Sequence, residues 1–145
     1  SGPWSEQYRR RMTQRLDARL DTYHSPVLGL FRIVIGLLFA VHGTTKLFGW
    51  PAAQGGRPPV GQWPYWWAGV IELAVGVLVL LGLFTRIAAL IGSGAMAFAY
   101  FTEHQPKALW PIENGGELAV LYCFSLFLIA FAGPGAFAIG GRARR

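Results

Sequence analysis

Hydrophobic and polar positions divide this chain into a polar, arginine-studded beginning, four apolar runs, and two connections rich in Gly, Pro and Trp. The apolar runs extend from about Val27 to Phe48, Tyr65 to Leu83, Ile87 to Thr102 and Glu117 to Ala132. Each approaches the roughly 17–25 residues that a helix needs to cross hydrocarbon, the last two at the short end. They predict an all-α integral membrane protein built as a four-transmembrane-helix bundle. Ahead of them Tyr8, Met12, Leu16 and Leu20 recur every four residues, while Arg9, Arg10, Arg11, Arg15 and Arg19 fill the remaining surface. That spacing predicts an N-terminal amphipathic interfacial helix on anionic lipid, with a solvated helix packed on a partner protein as the alternative. Pro26 is expected to break it before the first crossing. The division is residues 1–25 for the basic interfacial helix, 26–135 for the membrane domain and 136–145 for a basic cytoplasmic tail.

Composition agrees with this reading. A hydrophobic content of 53% with 14% charge and six Trp in 145 residues fits a small soluble globule poorly. The formal charge of +6 is a topology signal. The arginines before the first run, Arg86 in the tight "GLFTR" turn, and Arg142, Arg144 and Arg145 at the end fall on one side of four crossings, which places both termini in the cytoplasm. These cations flank apolar spans instead of interleaving with stacking aromatics, so no nucleic-acid partner is expected. A single Cys123 excludes an intrachain disulfide and Cys-x-x-Cys chemistry. The first apolar run is also too long, and follows too many polar residues, for a removable signal peptide.

The stretch "RIVIGLLFAVHGTTKLFGW" from Arg32 to Trp50 then raises a chemical question, because ionisable residues inside a membrane are costly and face a bundle interior or a wet cavity. Arg32, Gly36, Phe39, Gly43 and Lys46 follow helical steps and share one face, and Gly69, Glu72 and Gly76 do the same on the second run. The glycines mark packing faces. Antiparallel neighbours bring His42, Lys46, Glu72, Glu103, His104 and Glu117 to one depth near the outer surface. His42, Lys46, Glu72, His104 and Glu117 are the candidate ligand-binding residues, with Glu72 and Glu117 as acids that offset the buried bases. Arg32, Gly36, Gly43 and Gly76 are expected to be structural, Arg32 by snorkelling to headgroups. A Lys46–Glu72 pin without a ligand is the alternative. Zinc on His42, His104, Glu72 and Glu117 is chemically conceivable, but no tight ligand spacing supports it. The Trp-rich connections are expected to cap the cluster, and Gly92, Gly94 and Ala95 offer a small-residue face for self-association.

"FRIVIGLLFAVHGTTKLFG", "GVIELAVGVLVLLGLFTRIAALIGSGAMAFAYF" and "ENGGELAVLYCFSLFLIAFAGPG" together resemble the DoxX family of small four-helix bacterial membrane proteins, over about Leu28 to Gly135. The family pattern falls on Arg32, Gly36, Phe39, Gly43 and Lys46, on Glu72, Gly76 and Gly82, and on Gly116 and Glu117. The resemblance implies a place in the bacterial cytoplasmic (inner) membrane and a link to oxidative stress, thiol or sulfur metabolism and quinone-linked complexes. The expected function is an accessory membrane subunit of a redox or oxidative-stress complex, with a quinone-like or other small polar-headed ligand in an outward-facing polar pocket. The alternatives are a stand-alone quinone- or sulfur-linked oxidoreductase, a small transporter, and a non-catalytic assembly factor. Expected partners are the lipid bilayer and either a protein of such a complex or a second copy of the chain.

Overall fold

The computed structural model describes residues 2–53 and 55–140. Among them the chain is helical without a strand: α1 (Pro3–Asp21), α2 (His24–Phe48), α3 (Tyr65–Leu81), α4 (Thr85–Ala99), a short α5 (Pro111–Asn114) and α6 (Glu117–Ala132). A five-residue π-helical segment, Tyr100–His104, prolongs α4. α2 has the 25 residues and the apolar composition to cross a membrane unaided, whereas α3 and α6 are apolar but shorter. The boundaries follow local chemistry. Gly49 and Gly82 take left-handed φ at the ends of α2 and α3, a conformation that glycine adopts without steric cost.

The break between α1 and α2 falls at Thr22 and Tyr23, not at Pro26. Pro26 sits instead in the first turn of α2, where a missing N–H costs no intrahelical hydrogen bond. α1 buries none of its residues, and Tyr8, Met12, Leu16 and Leu20 are all exposed.

The four longer apolar helices pack up and down. Gly36 faces Leu80 and Gly43 faces Leu73, so α2 and α3 run antiparallel. The same sense joins α4 to α6, where the Ser93 hydroxyl donates to the Cys123 carbonyl at 2.8 Å and Arg86 donates to the Phe131 carbonyl at 2.8 Å. Phe39, Val75, Val79, Met96, Leu126 and Ile129 fill the centre. Gly92 is buried there against Val75 and Leu126, so it serves packing within the bundle and leaves the expected self-association face, while Gly94 stays open.

Arg32 corrects the snorkelling expectation. It is fully buried, and its guanidinium donates to the carbonyls of Pro134, Ala136 and Phe137. The segment it grips is further tied by the Ile139 and Gly140 amides, which donate to Leu81 and Gly82. A side chain at Gly82 would collide with Ala138, its Cβ only 2.6 Å away. Residues 136–140 are therefore docked onto the bundle, while Arg142, Arg144 and Arg145 lie outside the described residues.

Candidate functional site

Glycine makes the site possible. A methyl group at Gly36 would lie 2.5 Å from the Leu80 amide nitrogen, one at Gly43 would lie 2.5 Å from that of Leu73, and one at Gly76 would lie 2.6 Å from the Ala40 Cα. Only hydrogen fits these positions, so the backbones of α2 and α3 touch along their length. That contact sets Lys46 opposite Glu72. The Lys46 ammonium donates to Glu72 Oε1 at 2.6 Å, with Glu72 almost fully buried and Lys46 35% exposed. The second carboxylate oxygen, Glu72 Oε2, is buried and has no hydrogen-bond partner. A buried acceptor left unpaired is destabilising by about 1–3 kcal/mol, more for a charged group.

The pair borders a recess of about 210 Å³ between α2, α3, α4 and α6, into which His42, His104 and Tyr122 also face. His42 stacks edge-on against Tyr122 with ring centroids 5.5 Å apart, and Phe39 supports the same ring at 5.3 Å. His104 Nδ1 lies 3.1 Å from the Asn114 carbonyl. A carbonyl only accepts, so Nδ1 carries the proton and Nε2 of the neutral ring is an acceptor. Asn114 is itself buried. Its amide donates to the Tyr100 hydroxyl at 3.2 Å and the Ala108 carbonyl at 3.1 Å, and its Oδ1 accepts from the Gly116 amide at 2.8 Å. This small network fixes the turn that launches α6 and, with it, the depth of Tyr122.

His42, Lys46, Glu72 and His104 thus come together at one end of the bundle. Glu117 does not join them: it lies on the exposed first turn of α6 and does not line the recess. The helical period explains its position, since Ala119, Tyr122, Leu126 and Ile129 form the buried stripe of α6 and Glu117 is off that stripe. Glu103 leaves the cluster as well, accepting a 2.7 Å hydrogen bond from the exposed Tyr65 hydroxyl. Among the described residues no three His, Cys, Asp or Glu side chains gather as a metal-binding group. Tyr122 and Asn114 escaped the sequence reading. A phenol in mid-span, three and four residues from Ala119 and Leu126, was the available signal for Tyr122, because a buried Tyr hydroxyl needs a polar neighbour.

Comparison with known proteins extends these observations. The chain is 42% identical over 127 residues to an uncharacterised protein of Haemophilus influenzae, covering 85% of this chain and 95% of that protein. No solved structure matches it. The DoxX family pattern matches residues 27–105, a stretch that includes α2, α3 and α4 and hence Arg32, the glycine spine, Lys46 and Glu72. With more than half of its length inside that pattern, the chain belongs to the DoxX family and is a membrane protein of that family.

Proposed function

We propose that this protein is an accessory subunit of a membrane redox or oxidative-stress complex, and that its recess holds the polar headgroup of a quinone-like ligand. The observation that carries the reading is Glu72 Oε2, a buried acceptor without a donor, beside a recess bordered by Lys46, His42, His104 and Tyr122. A hydroquinone hydroxyl supplies the donor that this oxygen lacks. A ring carbonyl finds the Lys46 ammonium, and a second hydroxyl finds the His104 Nε2 acceptor or the His42 ring.

In this reading all four apolar helices cross the bacterial cytoplasmic membrane. α3 and α6, with 17 and 16 residues, reach about 25 Å at 1.5 Å per residue, a shortfall that local thinning and flanking aromatics accommodate. The basic arginines before α2 and at Arg86 put the termini in the cytoplasm, so the recess opens outward. Hydrogen-bonding groups and a single Cys among the residues on offer support an accessory role.

The test is titration of the tail-less quinol of 2,3-dimethoxy-5-methyl-1,4-benzoquinone into the protein in lipid nanodiscs. Binding that weakens at least tenfold in Glu72→Gln and in Lys46→Met, with the fold intact, is expected. Equal affinity in all three proteins sinks the site. Thiosulfate- or thiol-dependent reduction of the parent quinone by the isolated chain would favour the stand-alone oxidoreductase instead.

A further inference from the structure

The recess has a neighbour. A groove of about 460 Å³ runs between α3 and α4, lined by Trp63, Tyr65, Trp67, Ile71, Ala95 and Phe98. It shares Lys46, Glu72, Met96, Ala99 and His104 with the recess, so the two spaces meet at the ion pair. Trp63, Tyr65, Trp67 and Phe98 are exposed on the outer face of the helices, which makes the groove a passage from the surface of the bundle to Glu72. α3 and α4 touch much less than α2 and α3 do, and the sequence says why. The α2–α3 seam is glycine against backbone, whereas Ala95 and Ala99 of α4 and Ala68 of α3 are among the residues that line the groove. Small side chains flanked by large aromatics leave a channel with an apolar floor. Two contacts bridge its rim, the Tyr65–Glu103 hydrogen bond at 2.7 Å and the tilted Trp63–Phe98 pair at 6.3 Å.

Size separates the roles of the two spaces. Ligand pockets typically enclose about 300–1,000 Å³. The recess falls short of that range and accommodates a headgroup only, while the groove lies within it and has apolar walls.

From this continuity we infer that the ligand is a tailed amphiphile drawn sideways from the bilayer between α3 and α4, its hydrogen-bonding head at Glu72 and Lys46 and its apolar tail along Ile71, Ala95 and Phe98. The inference rests on the headgroup reading given above and adds the class of ligand and its route. Access through the lipid face also fits the polar end of the bundle, where a water-borne ligand would have no use for an apolar groove. The Tyr65–Glu103 and Trp63–Phe98 contacts then act as a rim that parts to admit the head and closes on the tail.

Two quinols with one head, tail-less and decyl-tailed, are titrated into the protein in nanodiscs, with the decyl compound corrected for its partition into protein-free discs. The tail is expected to raise affinity at least tenfold in the native protein. Ala95→Phe and Ala68→Leu, at positions that line the groove but not the recess, are expected to remove that gain while leaving tail-less affinity within about twofold. Tail-less binding without any gain from the tail overturns the groove and leaves the headgroup site standing. Absence of binding by both compounds overturns the headgroup site and the groove together. A tail gain that survives both substitutions also overturns the groove, because the tail then lies elsewhere.

Discussion

Two cations on one face of α2, about four turns apart, meet opposite fates. Arg32 is fully buried, and the backbone carbonyls of Pro134, Ala136 and Phe137 accept hydrogen bonds from its guanidinium. Its Nε has no partner among the described residues, but Arg32 lines neither the recess nor the groove. Lys46 is one-third exposed and makes one bond to one oxygen of Glu72; the other oxygen is buried without a partner, on a residue that lines the recess. The first arrangement is a closed lock that secures chain to chain. The second is an open half of a hydrogen-bonding set. Burial of a charge alone therefore does not separate the two ends; an unpaired carboxylate oxygen on a residue that lines a cavity does.

The largest effect is expected from breaking what the two ends share. Gly36→Leu forces a side chain into the Leu80 backbone, where a methyl group would already lie 2.5 Å from nitrogen. Overpacking of a core costs about 1–3 kcal/mol when neighbours can yield, and backbone cannot. Purification in mild detergent is expected to return little folded protein, and thermal unfolding of what remains should show both ends lost together.

Next comes the lock. Arg32→Met removes three hydrogen bonds to a charged group, each contributing about 1.5–3 kcal/mol, and strands the carbonyls of Pro134, Ala136 and Phe137. Hydrogen exchange at the Ile139 and Gly140 amides, now bonded to Leu81 and Gly82, is expected to accelerate at least a hundredfold, while tail-less quinol affinity changes less than twofold. Loss of binding with the lock would show the two ends to be coupled and end the contrast.

Replacing the ion pair as a unit is expected to do the reverse. The double substitution Lys46→Met and Glu72→Leu removes both charges and the orphaned oxygen, and apolar replacement of a buried pair is often neutral or stabilising by about 1–4 kcal/mol. The thermal midpoint should hold or rise while headgroup binding disappears. A large fall in midpoint would identify the pair as a structural pin. The smallest effect belongs to Tyr122→Phe, which keeps the ring against His42 and Phe39 and deletes one hydroxyl from the recess. A threefold to tenfold loss of headgroup affinity, read by the same titration, with unchanged unfolding, is the expected result.

Much of this was legible beforehand, and the failures are instructive. The Arg32-to-Lys46 face and the Gly69, Glu72, Gly76 face were readable because 3.6-residue periodicity and small-residue packing are local rules. The same periodicity, applied to α6, turns Glu117 away from the bundle, since it lies off the Ala119–Tyr122–Leu126 stripe; equal depth does not bring a residue on the wrong side of its helix into the recess. Arg32 departs from the snorkelling expectation for a different reason. Its partners are main-chain carbonyls about a hundred residues away in sequence, and carbonyls carry no sequence signature.

The sequence alone determined the helical class, the apolar runs, the α2–α3 seam and the DoxX pattern, because these depend on periodicity and on the absence of a side chain at glycine. Only tertiary structure decided that Lys46 meets Glu72 with one oxygen left over, that Arg32 clasps the backbone at Pro134, Ala136 and Phe137, and that a groove joins the recess between α3 and α4. Those outcomes depend on where backbones from distant segments stop short of contact, a property of packed volume that no single stretch of residues encodes.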